Sequence, residues 1–375
     1  LCQISDRTEF SSSKAQRAPA SDSHGTSYSD ALVLGLGEPI DRVLPAGERH
    51  SYEIILNTGQ YLQLRITRSG TELATTLYAP DGQKLSQSTC RENGPRPVSA
   101  IAEVSGTYLL EVRSVENDPA PGRYQVKVEE VRPATALDAH RVAAEQAFAE
   151  AEELRNEWKA ESSRKAIDSY EEALQHWRTA GEPIQEATSL RNIGEIYHVL
   201  GEPQRALNPY QQALAISRKS NDPKGEVETL NGMADVLLPL GEKQKAFEFA
   251  EKPVALAETA GADGNEEDRK NAVKMHAAAL ESVGGVHNYF GDKKKALEYY
   301  ERALTLQRSI SNRPGELDVI MDIALAYQYM GDYQNALTFN NTALAMAKEL
   351  GDRNKAGMIL NNLCPLNDRL GNYKQ

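Results

Sequence analysis

The side chains able to serve as nucleophiles, bases or metal ligands are three cysteines (Cys2, Cys90, Cys364) and seven histidines (His24, His50, His140, His176, His198, His276, His287). A thiol nucleophile needs a base held beside it, and a structural zinc needs four ligands, usually in closely spaced pairs. Neither pattern is present. The cysteines stand far apart with no Cys-x-x-Cys pair, and no His-Glu-x-x-His or Gly-x-Ser-x-Gly occurs. Gly35-Leu-Gly37 is too short to cradle a phosphate and reads as a turn. The acidic doublets Glu171-Glu172 and Glu266-Glu267 read as solvated charge. The sequence therefore predicts no active site, no metal and no cofactor, which directs attention to surfaces that bind.

Composition narrows what could be bound. The 375 residues carry a formal net charge of −12 with no basic stripe, which disfavours a nucleic-acid backbone or an anionic membrane surface. No apolar run reaches membrane-spanning length. Leu1 and Gln375 read as cut ends. A leader upstream of Leu1 would place the chain in the cell envelope or outside the cell; without one it would be cytoplasmic.

The chain changes texture twice. Residues 1–30 are rich in Ser, Thr and Asp without periodicity and read as a disordered leader or linker. Residues 31–132 carry short alternating runs. In Tyr61–Thr67, Leu62, Leu64 and Ile66 share one face while Gln63, Arg65 and Thr67 share the other. Similar runs recur at His50–Leu56, Leu73–Tyr78, Lys84–Ser88, Val98–Val104, Gly106–Arg113 and Gly122–Val128, punctuated by Gly and Pro turns. Such punctuation predicts an antiparallel β-sandwich. Its tyrosines, Tyr52, Tyr61, Tyr78, Tyr108 and Tyr124, are expected in the core or at its rim; a sugar-binding face would need them exposed. In Gly37-Glu-Pro-Ile40, Ala46-Gly-Glu-Arg-His-Ser-Tyr52, Gly59-Gln-Tyr-Leu62, Leu77-Tyr-Ala-Pro-Asp-Gly82 and Gly106-Thr-Tyr108 the module resembles the bacterial pre-peptidase C-terminal type of sandwich. That resemblance implies a fold and no activity.

After Pro133 the spacing becomes helical, and a glycine returns at Gly201, Gly241, Gly291, Gly331 and Gly371. Each is followed by Glu, Asp or Asn and closes an apolar stripe such as Leu190, Ile193, Gly194, Ile196, Tyr197 and Leu200. The one longer interval contains an acidic insertion near Gly261–Asp268, expected to be a polar loop. A second stripe follows each glycine: Ala206, Leu207, Tyr210, Ala213 and Leu214, then Ala296, Leu297, Tyr300, Ala303 and Leu304. Self-similarity at this period predicts stacked helix pairs over 138–375, about five with the start of a sixth. The pattern resembles the tetratricopeptide repeat in its long form, also found in kinesin light chains. Pro209, Pro239, Pro253 and Pro365 are expected as kinks inside helices. His287 stands at the tyrosine position and Cys364 at the small-residue position, so both are expected to pack in the core. The last unit, 355–375, is expected to fray and to self-associate through its uncovered leucines.

The resemblance implies a concave groove lined by the first helix of each pair. The offsets between core positions hold Arg191, Asn192, Glu195 and His198, then Asn231 and Asp235, Ser282 and Asn288, Asp322 and Gln328, and Asn361 and Asn362. Asn and Gln carry donor and acceptor together and suit a main-chain amide. In peptide-binding members of the kinesin-light-chain type, asparagines at such offsets bond an extended ligand. Gly232 and Asp322 interrupt the asparagine ladder here. A sandwich followed by these repeats also resembles the N-terminal part of bacterial CHAT-domain proteins, where a caspase-like peptidase domain with a His/Cys dyad follows. The expectation is therefore a multidomain chain, a β-sandwich followed by an all-α solenoid. It would act as a non-catalytic scaffold for a protein or peptide, or alternatively as the regulatory region of such a protease.

Overall fold

The computed structural model describes residues 32–45, 47–69, 73–90, 94–114, 122–157, 159–259 and 264–370, with backbone alone at 69, 90, 94–96 and 259. The leader 1–30, with Cys2 and His24, and the Cys90 side chain lie outside that description, as does Gly371.

The alternating runs form strands β1 (Leu32–Val33), β2 (Ile40–Leu44), β3 (Arg49–Leu56), β4 (Gln60–Ser69), β5 (Leu73–Tyr78), β6 (Lys84–Cys90), β7 (Gly94–Ile101), β8 (Gly106–Ser114) and β9 (Gly122–Pro133). They make two sheets, ordered β1-β3-β8-β5-β6 and β2-β9-β4-β7, antiparallel except for the β1–β3 pair. Alternation puts Leu62, Leu64 and Ile66 wholly inside, facing Leu73, Leu77 and Leu110 of the other sheet. Tyr52, Tyr61, Tyr108 and Tyr124 are buried too. Tyr124 of β9 joins the sheets through its hydroxyl, 2.6 Å from that of Tyr52 and 2.8 Å from His50 Nδ1, both on β3.

Eleven helices follow among the described residues. They are α1 (Ala136–Arg155), α2 (Ala160–Ala180), α3 (Pro183–Val199), α4 (Pro203–Lys219), α5 (Pro223–Leu237), α6 (Lys243–Thr259), α7 (Glu266–Tyr289), α8 (Lys293–Ser309), α9 (Arg313–Met330), α10 (Tyr333–Glu349) and α11 (Arg353–Arg369). The recurring glycines explain the period: Gly201, with φ of 74°, takes the left-handed turn that ends α3, and the N–H of Glu202 closes back on the Tyr197 carbonyl at 2.8 Å. The acidic neighbour caps the next helix, as Asp292 accepts from Lys295 N at 3.3 Å and Asp332 from Asn335 N at 3.2 Å. A second ladder, unread in the sequence, ends the second helices at Gly181, Asn221, Ser311 and Gly351, all with positive φ. Across those turns Arg178 pairs with Glu186, Arg218 with Glu226 and Arg308 with Glu316, each at 2.7 Å.

Three expectations are corrected. Pro239 follows α5 and ends it, while Pro209, Pro253 and Pro365 do lie inside helices. The insertion is not all loop: Glu266, Glu267 and Asp268 are the first turn of α7, which Asn265 caps and which runs to 24 residues against 15 in α5. Cys364 is exposed, because no described element covers that side of α11. His287 packs as expected, stacked on Tyr299 with centroids 5.5 Å apart and edge-on to Phe247 at 4.7 Å.

Sandwich and helices meet closely. β9 runs to Pro133 and α1 begins at Ala136, so only two residues separate the last strand from the first helix. Helix α1 lies against β6 and β7, an edge strand of each sheet, and so covers edges that would otherwise be open to another chain. Glu145 accepts from the Ser99 amide and hydroxyl, each at 2.8 Å, and Gln146 donates to the Leu85 carbonyl at 3.0 Å. Asp138, fully buried, pairs with Arg132 at 2.6 Å and Arg141 at 2.9 Å and accepts from the Thr135 amide at 2.7 Å.

Candidate functional site

First helices touch their successors, α3 with α5, α5 with α7 and α7 with α9, while no two second helices pack as closely. The tighter spacing makes the first helices the inner wall of the solenoid. Their offsets between core positions therefore line one trough.

At its start most charged groups of the trough pair with one another. Arg155 pairs with Glu195 at 2.8 Å, Arg191 with Glu228 at 2.7 Å, and Asn192 donates to Glu152 Oε1 at 3.2 Å. His198 is half-buried with Nδ1 unpartnered, and burial holds its pKa below the usual imidazole value, opposed by Glu195. In the middle the character changes. Asn231 reaches across to the Ala278 carbonyl at 3.4 Å and keeps its own carbonyl oxygen free. Asp235 and Asp322 have no hydrogen-bonding or cationic partner among the described residues. Asn288 is 6% exposed with Oδ1 unpartnered, and Gln328 Oε1 is likewise buried and unpartnered. Asn361 and Asn362 lie on α11, apart from this central group, without partners among the described residues.

Residues that sequence reasoning missed complete the floor. Glu281 occupies the offset of Arg191 and Asn231 and takes one hydrogen bond, from Gln307 at 3.2 Å; Asp318 pairs with Lys355 at 2.6 Å. The column of Arg191 and Asn231 leads to Glu281, whereas nothing in the spacing marks Asp318. The tyrosines of the second helices also reach the trough. A methyl group built on Gly232 would lie 2.7 Å from the Tyr210 hydroxyl, so this glycine interrupts the asparagine ladder because a tyrosine passes beside it. Tyr170 likewise hydrogen-bonds Glu152, and the Tyr300 hydroxyl meets the Asn288 side chain within the fields of Asp322, Glu281 and Asp235.

The carboxyls sense one another. Burial pushes Asp235 up to about 7, with repulsion from Glu195 added. Burial lifts Asp322 to about 7, reinforced by Asp318 and Asp235. Burial lifts Glu281 to about 8, reinforced by Asp322 and Asp318 against the Gln307 hydrogen bond and the field of Lys355. Asp235 stays open to water along the trough, so its rise is the one to discount. Folded pKa values above the unfolded range of about 4 mean that protonation favours the fold. That contribution is complete below the unfolded values and is lost as pH rises through 7–8. At pH 8 the ionised floor weighs against the fold.

The tetratricopeptide repeat family model matches residues 155–219, 185–259 and 275–349. The helical part is a solenoid of tetratricopeptide repeats. Among solved structures, the chain is similar to a Rap protein complexed with competence and sporulation factor, at 20% identity and a TM-score of 0.48 over 58% of this chain and 57% of that one. It is also similar to NprR in complex with its cognate peptide NprX, at 17% identity and a TM-score of 0.48 over 63% and 64%. The kinesin light chain repeats of Podosopora anserina align at 19% identity and a TM-score of 0.39 over 53% and 93%. The chain thus spans less than two thirds of the Rap and NprR structures. No curated protein matches. Among the described residues no His/Cys/Asp/Glu group could hold a metal ion, and no helix is long and apolar enough to cross a membrane.

Proposed function

We propose that the chain is a non-catalytic interaction scaffold whose trough holds an extended peptide or an extended segment of a protein. One observation carries the reading: six buried polar atoms without partners lie along this wall, Arg191 Nη1, His198 Nδ1, Asn231 Oδ1, Ser282 Oγ, Asn288 Oδ1 and Gln328 Oε1. Buried polar groups ordinarily find partners. A row of them spaced along one face suits the repeating amides of an extended chain. Arg191, Asn192, Glu195, His198, Asn231, Asp235, Asn288, Asp322, Gln328, Asn361 and Asn362 are the residues assigned to it. The sandwich, with one edge of each sheet covered by α1, is a structural module in this scheme. A nucleic acid is not the partner, since phosphates would meet the acidic floor.

Selection from a phage-displayed random dodecapeptide library tests this. Selected peptides are expected to lose about tenfold in affinity when Asn231→Ala and Gln328→Ala are combined. They should be unaffected by Gln175→Ala with Gln212→Ala on the second helices. Equal loss in both pairs, or no loss in the first, rejects the groove.

We also propose, from the order of sandwich and repeats, that such a scaffold serves a caspase-like peptidase domain. A reading frame encoding no His/Cys-bearing domain after the repeats would remove that role.

A further inference from the structure

We infer that the occupant of the trough bears lysine or arginine, its cations seated over Asp235, Glu281 and Asp322 beside the Asn288 carboxamide; the inference rests on the groove reading above. Three neighbouring first helices, α5, α7 and α9, each contribute one of these carboxyls. The cations of the wall are already engaged: Arg155 with Glu195, Arg191 with Glu228, Lys355 with Asp318. Lys293 donates to the Asn288 carbonyl and lies 4.8 Å over the Tyr329 ring. Among the described residues no side-chain cation pairs with any of the three, and only the field of Lys355 reaches Glu281.

The second observation is independent of charge. Asn288 is 94% buried, yet its Oδ1 has no partner. Its side chain meets the Tyr300 hydroxyl, which lies within the fields of all three carboxyls. An amide oxygen left bare, joined to these carboxyls through the Tyr300 hydroxyl, asks for a donor, and an ammonium or guanidinium carries donors and no acceptor. An acidic or neutral ligand would leave the carboxyls without a cationic partner, which selects against it. The tyrosine hydroxyls of Tyr210 and Tyr300 can accept or donate beside the cation.

The geometry also sets a pH dependence. The groups facing the trio are Glu195 from α3, Asp318 from α9, Lys355 from α11, and the hydroxyls of Tyr210 and Tyr300; Arg155 and Arg191 stand near Tyr210. A bound cation favours the ionised carboxyls, so binding releases protons and strengthens from pH 6 to 8.

The test uses the whole chain and three fluorescein-labelled dodecapeptides, alternating Lys-Ala, Gln-Ala and Glu-Ala, read by anisotropy at pH 6 and pH 8. The Lys-Ala peptide is expected to bind about tenfold tighter than Gln-Ala at pH 8, with Glu-Ala weakest. Combining Asp235→Asn, Glu281→Gln and Asp322→Asn should erase that preference while raising the denaturation midpoint at pH 8. Glu171→Gln, Glu172→Gln and Glu298→Gln, which remove the same charge from the second helices, should leave the preference intact. Equal loss in both triple variants, or no preference in the parent chain, overturns the inference. The two readings fail separately. Library peptides that need the groove but lack Lys and Arg reject the basic ligand alone; library peptides indifferent to the groove reject both.

Discussion

A chain carrying Asp138→Ala is expected to lose about 3 kcal/mol of stability at pH 7. The carboxylate is fully buried and joins three structural units, accepting from Arg132 at the end of β9, from Arg141 on α1 and from the Thr135 amide between them. Removing it takes a shared carboxylate from two guanidiniums, leaving Arg132 with Glu130 and Arg141 with Glu182, and leaves a helix N-terminus without its acceptor. Both arginines keep some access to water, which places the cost at the lower end of the range for broken buried pairs. The hydrogen bonds from Arg132 and Thr135 hold the Asp138 carboxyl well below the usual carboxylate range against its own burial. The sign follows: its contribution is present above the unfolded value of about 4 and disappears as pH falls through the folded value. Urea denaturation at pH 7 and at pH 3 should therefore show a large gap between parent and variant that narrows in acid. A gap that is small at pH 7, or unchanged at pH 3, would mean that the junction is not held by this carboxylate.

The second large effect is a reversal of sign between two glycines. Replacing a helical glycine by alanine ordinarily stabilises by about 1 kcal/mol. Gly357, on α11 with nothing within 4 Å of a built methyl group, should follow that rule. At Gly284 the methyl group would lie 2.5 Å from the Tyr300 ring, an overlap with the body of a rigid side chain. Overpacking of this kind costs about 1–3 kcal/mol, so Gly284→Ala should lower stability where Gly357→Ala raises it. Shortening Tyr300 to Leu should reduce the penalty at Gly284, because the offending ring is gone. Thermal midpoints of the single and double variants decide the matter. Equal gains at both glycines would show that the tyrosine does not need the close approach of α7.

Much of this architecture is legible in the residue order because its causes are local. Alternation in Tyr61–Thr67 requires one buried face, and glycine followed by an acid requires a left-handed stop and a new cap. What the sequence concealed depends on neighbours distant along the chain. Gly232 reads as a defect in a polar ladder until Tyr210 is seen passing beside it. Cys364 takes a core offset but is exposed, since no described element packs on that side of α11. Asn221 and Ser311 adopt the positive φ of a helix stop without being glycine, so the second ladder of turns goes unread. Glu281 shares its column with Arg191 and Asn231 but Asp318 stands in an unmarked one, and the fields of α9 on the first and the Lys355 pairing of the second give them weight. The covering of both sheet edges by α1 has no sequence signature, because it depends on where two sheets end in space.

The central claim is that ligands lie along the first helices. Hydrogen exchange of the whole chain, with and without a selected library peptide at saturating concentration, tests it most directly. The account predicts slowed exchange in α5, α7 and α9 around Asn231, Asn288 and Gln328, with α4, α6 and α8 unchanged. Protection confined to the second helices, or to the sandwich, would contradict it.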